Sequence, residues 1–209
     1  MPPVNQILSE LNRITNETIS LAVLWHVYYA VIALLFVARR PHLSIRLFGA
    51  LIAIPFLSVA ALAWVHGNPF NGSLFTLAWV VLMTVALRLP RQQVEFGHRW
   101  MVITGVFLFL FAWIYPHFLN SSSVWMYFYA TPLGLIPCPT LSASIGGSLI
   151  FQSLFSRAWI LTLGVMGLFY GLFGALILGV QIDFILAMGG FAAIIASVNL
   201  NKSGSDRQR

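Results

Sequence analysis

The chain is predicted to be an all-α polytopic membrane helix bundle with seven transmembrane helices, N-terminus outside and C-terminus inside. Composition points there first: 59% of the 209 residues are hydrophobic, 8% are charged, and the mean hydropathy is +0.89. A soluble domain of this length needs more polar surface than that. Apolar runs long enough to cross a bilayer core recur along the sequence. When these runs are threaded back and forth, all 11 Lys and Arg residues except Arg13 fall on one face. Basic residues near span ends are retained on the cytoplasmic side, so this placement orients the bundle.

Residues 1–18 carry Glu10, Arg13 and Glu17, with Val4, Ile7, Leu8, Leu11 and Ile14 at helical spacing. They read as a short amphipathic helix on the outer surface, and they lack the basic start and small-residue cleavage site of a secretory signal. The seven-helix domain occupies 19–199. Span one is expected over 19–37, and an inner loop with Arg39, Arg40 and Arg46 follows it. Span two covers 47–64. An outer turn at 66–72 is rich in Gly, Asn and Pro, which stop helices. Span three, 73–87, returns to an inner loop holding Arg88, Arg91 and Arg99, and span four runs over 100–115 to Pro116 and His117.

The outer segment 118–137 contains an aromatic and apolar run, Val124 to Ile136, with Trp125, Tyr127, Phe128 and Tyr129. About 13 residues cannot cross a membrane as a helix, so the run either lies at the interface or dips in and returns. Span five begins at Pro137-Cys138-Pro139-Thr140 and extends to Phe155. Its first half is built of small residues, with Ser142 and Gly146, and Ser144 and Ser148, sharing faces at i, i+4. Such faces allow close helix packing, or hydroxyls that line a polar path. Arg157 then opens an apolar stretch, Ala158 to Val198, that is too long for one helix. It divides at Gln181 and Asp183 into span six, whose Gly167 and Gly171 suit packing in the bundle or a homo-oligomer contact, and span seven. Residues 200–209 form a cytoplasmic basic tail with Lys202, Arg207 and Arg209.

Chemistry is sought among the few polar residues that membrane burial makes expensive. His66, His117, Cys138 and Asp183 fall at outer ends of spans, and His26 lies about 10 Å below the outer surface at 1.5 Å per residue. The outer half of the bundle is thus expected to gather imidazole, thiol and carboxylate groups. Cys138, between two prolines, sits where the N-terminus of a helix favours a thiolate. A soft metal ion is the candidate cofactor, held by Cys138, His117 and His66. His26 and Asp183 are the candidate proton or cation partners deeper in, and Ser142 and Ser144 line the path. His42 and His98 belong to basic inner loops.

Several classes are excluded. A single cysteine forbids an intrachain disulfide, no lysine lies inside a span to form a Schiff base, and there is no HExxH motif or phosphate-binding glycine loop. The net charge of +6 resides in short inner loops, which makes anionic lipid rather than nucleic acid its partner.

The Pro137-Cys138-Pro139-Thr140 stretch entering a small-residue helix, with Gly179-Val180-Gln181-Ile182-Asp183 before the last span, resembles a family of uncharacterised bacterial multipass membrane proteins known only as a domain of unknown function. A second Thr common after that stretch in the family is Leu141 here. The resemblance implies a bacterial inner membrane location and supplies no activity. The expected function is binding or transport of a small solute or ion, a soft metal among them, from the outer side. The alternatives are a non-catalytic partner or scaffold subunit presenting Trp125 to Tyr129, and a membrane enzyme pairing Cys138 with His117.

Overall fold

A computed structural model of the chain describes residues 3–37, 44–151 and 156–206. Arg39, Arg40, His42, Phe155, Arg207 and Arg209 lie outside the described residues, as does the side chain of Lys202. The architecture is all-helical: α1 (Val4–Glu17), α2 (Ile19–Val37), α3 (Ile45–Val65), α4 (Pro69–Arg88), α5 (Arg99–Trp113), α6 (Pro137–Ile150), α7 (Arg157–Leu172) and α8 (Phe184–Asp206). Among the described residues, four stretches are long and apolar enough to cross a membrane, namely Ile45–Val65, Pro69–Arg88, Arg157–Ile177 and Gln181–Val198. A fifth arises if α1 and α2, bent by 73° at Thr18, count as one broken span. Helix α5 is apolar but shorter.

Local chemistry explains where the helices begin. Ser44 accepts the Leu47 amide at 3.3 Å, Asn68 the Asn71 amide at 3.0 Å, and Ser156 the Trp159 amide at 3.1 Å. Each satisfies an amide that the first helical turn leaves without a partner. Pro69 and Pro137 occupy first-turn positions, where a missing N–H costs nothing. The turn between α3 and α4 needs Gly67, whose φ is +71°.

Helices pair as antiparallel hairpins, α3 with α4, α5 with α6 and α7 with α8, and α6 also touches α3, α7 and α8. It is the axis of the bundle. Every residue from Pro139 to Leu149 is buried, which a helix can achieve only if its side chains leave room for neighbours on all sides. On one face, Ser142 Oγ donates to the Leu108 carbonyl of α5 at 3.1 Å. One turn on, Gly146 and Gly105 face each other so closely that a Cβ on either would stand 2.6 Å from the other's carbonyl oxygen. The opposite face carries Ser144 and Ser148, which donate to the Thr140 and Ser144 carbonyls, and Ser148 Oγ accepts the Trp159 indole N–H of α7 at 2.9 Å. These hydroxyls are engaged in helix contacts; they line no polar path among the described residues.

Gly167 and Gly171 face α8 of the same chain: a Cβ at Gly171 would run into Ala187, and one at Gly167 would lie 3.3 Å from the Cα of Gly190. The glycine face proposed for a homo-oligomer contact is thus occupied within the bundle. The 41-residue apolar stretch breaks as expected, by a π turn at Phe173–Ile177, a left-handed Gly179 at φ +74° and a short 3-10 turn at Gln181–Asp183. Span five is shorter than expected, with α6 ending at Ile150.

The described arginines other than Arg13 gather at one end. Arg46 donates to the Leu89 carbonyl at 3.0 Å, beside Arg88 and Arg91, and Gly97 donates to the Ile150 carbonyl at 2.8 Å, so the loops of Arg46, Arg88, Arg91, Arg99 and Arg157 share one end. At the other end α1 is strapped to the outer segment. Asn16 Nδ2 donates to the Phe118 carbonyl at 2.9 Å, Asn16 Oδ1 accepts the Asn120 amide at 2.9 Å, and Asn12 Oδ1 accepts from Asn120 Nδ2 at 3.1 Å.

Gly146→Leu places a branched side chain in the α5–α6 contact and is expected to lower stability by about 1–3 kcal/mol or more, the usual cost of overpacking. Leu77→Ala, on an exposed apolar face, is expected to change it little. Denaturant unfolding in mixed micelles followed by tryptophan fluorescence compares the two.

Candidate functional site

The π turn and the 3-10 turn after it fold the chain back so that Asp183 points at the beginning of α6. The Val180 amide donates to the Gly174 carbonyl at 2.9 Å and closes this reversal. Gly174 has no alternative here, because a Cβ would overlap the Asp183 carboxylate. Asp183, 1% exposed, is met by two neutral donors. The Tyr115 hydroxyl donates to Oδ1 at 2.7 Å and the Cys138 thiol donates to Oδ2 at 3.2 Å. Tyr115 is fully buried just after α5, so three elements meet at one carboxylate. Sequence reasoning selected Cys138 and Asp183 but missed Tyr115, which marked only the end of span four.

Beside this cluster a cleft of about 330 Å³ opens between α1, the start of α4, α6 and the end of α7. Cys138 and Asp183 form its polar floor, with Asn71 and Tyr170, whose hydroxyl donates to Asn71 Oδ1 at 2.8 Å. Phe70, Phe169 and Phe173 make an aromatic wall, with ring centroids 6.1 Å apart for Phe70–Phe169 and 6.0 Å for the stacked Phe169–Phe173. Ile7 and Leu11 of α1 cover it. The amphipathic helix is therefore a roof over the cleft, as well as a surface element.

The other predicted residues go to separate places. His66 Nδ1–H donates to the Leu62 carbonyl at 2.8 Å, an acceptor that fixes a proton on Nδ1. It lines a small recess with Glu10 that shares Ile7, Leu11, Asn68 and Asn71 with the cleft. His117 packs edge-on against Phe118, centroids 4.4 Å apart, and partial desolvation holds its imidazole below the usual histidine range. His26 is buried, with Nδ1 2.8 Å from the Ala22 carbonyl and Nε2 3.2 Å from the Thr131 hydroxyl, and its ring stands edge-on to Trp113. Its polar partners are thus α2, α5 and the outer segment; Asp183 is not one of them. Ser142 and Ser144 lie within the α6 contacts described above. Among the described residues no three His, Cys, Asp or Glu side chains converge to hold a metal ion, so the set of Cys138, His117 and His66 is not assembled. The cysteine is a hydrogen-bond donor to Asp183, the opposite of the thiolate that a soft metal requires.

The outer segment divides in two. Trp125 is 74% exposed on a 3-10 turn, Val124–Phe128, that Trp113 anchors by donating to the Phe128 carbonyl at 2.8 Å. From Ala130 to Pro137 every residue is buried. Gly134, at φ +76°, turns there against the ring of Trp25, and its amide donates to Thr140 Oγ1 at 3.0 Å. Comparisons with protein-family models, curated proteins and solved structures gave no match.

Tyr115→Phe removes a donor to a buried carboxylate and is expected to cost about 1–3 kcal/mol of stability in denaturant unfolding. Because Cys138 is the single cysteine, its S–H stretch is unambiguous by infrared spectroscopy. The band is expected at the low wavenumber of a bonded thiol, and Asp183→Asn, with its weaker acceptor, moves it up. A band at the free-thiol position in the native protein is incompatible with the contact.

Proposed function

We propose that the chain is a seven-span protein of a bacterial inner membrane, basic end in the cytoplasm, that binds or moves a small organic solute admitted to the cleft from the outer side. The observation that carries this reading is the cleft itself: a mostly apolar chamber of about 330 Å³ with a hydrogen-bonded carboxylate and thiol on its floor. Binding sites for small molecules have this composition, apolar walls with a few placed polar groups. Residues Cys138 and Asp183 are its orienting groups, with Asn71 and Tyr170 beside them. His66 stands at the adjoining recess. A soft metal is not the favoured solute, since one thiol and one carboxylate of the cleft offer too few ligands.

The seven spans in this reading are α2 to α8. Helix α6 has 14 residues, about 21 Å at 1.5 Å per residue and short of a bilayer core of about 30 Å. Non-helical backbone at membrane depth is tolerated where protein encloses it. The buried run before α6 meets that condition, since Leu133 donates to the Thr131 carbonyl at 2.7 Å and Gly134 to Thr140. The separation of arginines to one end supports the orientation. The outer turn with Trp125 exposed favours a second role, contact with a lipid headgroup layer or a partner subunit, that is compatible with the first.

Two measurements test the reading. In a Cys138→Ser background, a single cysteine at Ser9 is expected to react with a membrane-impermeant maleimide added outside intact cells, and one at Ser203 only after permeabilisation; the reverse pattern overturns the orientation. In the native protein, a solute seated in the cleft slows modification of Cys138 by a small methanethiosulfonate and raises the melting temperature in nanodiscs. Leu11→Trp, which fills the cleft from its roof, is expected to abolish both effects.

A further inference from the structure

The cleft has a charge character that its size and apolarity do not convey. Asp183 is buried, and its two partners, Tyr115 and Cys138, are neutral donors. Among the described residues no Lys, Arg or His lies within ion-pair distance of it. A buried carboxylate usually has a cationic partner in the protein; here the place on the cleft side of Asp183 is bordered by aromatic rings. At this end Arg13 is paired with Glu10 of the adjoining recess at 2.7 Å, and it does not line the cleft. The other described arginines gather at the far end of the bundle.

We infer that the cleft selects an organic monocation whose charge is shielded by apolar groups, such as a quaternary ammonium or phosphonium, with Asp183 as its counter-charge and Phe70, Phe169 and Phe173 as its aromatic wall. The inference rests on the cleft being a solute site. Three considerations favour this class. A lipophilic cation gains from both the carboxylate and the ring faces, and each attraction is stronger out of water. A hard inorganic cation needs several oxygen ligands in place of its water, and the wall offers none. An anion would approach a carboxylate with no basic group to offset the repulsion. Gly174 contributes by leaving room for the carboxylate, and both residues line the cleft.

The test is equilibrium binding of tetraphenylphosphonium to the full-length protein in nanodiscs, with empty nanodiscs subtracted, beside neutral triphenylphosphine oxide and anionic tetraphenylborate. Native protein is expected to bind the phosphonium at least tenfold more tightly than the neutral or the anionic compound. Asp183→Asn keeps an acceptor for Tyr115 and is expected to weaken the phosphonium at least tenfold while leaving the neutral compound unchanged. Leu11→Trp, which does not touch Asp183, is expected to exclude all three. Equal or tighter binding of the neutral compound by the native protein, or undiminished phosphonium binding by a folded Asp183→Asn variant, overturns the cation assignment and leaves the solute cleft standing. Specific binding of none of the three to native protein, with Leu11→Trp indistinguishable from it, overturns both.

Discussion

The bundle depends on α6 being thin. A helix surrounded by four others must let each backbone come close, and the stretch from Thr140 to Ser148 does so with Ser, Ala and Gly at most positions. In a lipid environment there is little hydrophobic gain from bringing helices together, so association rests on van der Waals contact and interhelical hydrogen bonds. Both are concentrated on α6. The Gly146 and Gly105 backbones meet directly, while Ser142 and Ser148 tie the same helix to α5 and α7.

The site inherits its position from that packing. With α6 on the axis, its N-terminal turn is the point to which α5 and the α7–α8 reversal both lead, and each delivers one group: Tyr115 from the first, Asp183 from the second. The reversal itself uses a π turn, a helical form found more often at functional positions than in ordinary helix. Bulk would defeat it at Gly174. The carboxylate is thus located by two glycine-dependent approaches at different depths, Gly146 on Gly105 and Gly174 on Asp183, and the cleft is the space left where α1 closes over them incompletely.

Much of the helix layout was legible in the sequence because apolar runs and turn residues act locally. Pro69, Asn68 and Gly67 mark a turn without reference to the rest of the chain, and Gln181 with Asp183 marks the division of the long apolar stretch. The small residues of span five likewise announced close packing. What could not be read was convergence. His66, His117, Cys138 and Asp183 share an end of the bundle, yet only the last two touch, because proximity depends on how helices rotate about their axes and not on depth alone. Tyr115 was invisible for the same reason: an aromatic at a span end reads identically whether it faces lipid or a buried acid. The direction of the Cys138 thiol, a donor toward Asp183, likewise required the reversal after α7 to be seen.

The asparagines at the α1 end have a practical consequence. Asn16, Asn71 and Asn120 each begin an Asn-x-Ser/Thr triplet, and the side chain of each is already committed, Asn16 to Phe118 and to the Asn120 amide, Asn71 to Tyr170, Asn120 to Asn12. In the proposed orientation a eukaryotic secretory pathway would present this end of the chain to the glycosylating enzymes of its lumen, and a sugar attached to Asn16 would occupy the amide nitrogen that donates to Phe118. In the proposed orientation, yeast or insect-cell production would put a glycan where α1 meets the segment of Phe118 and Asn120, which a host without this modification avoids.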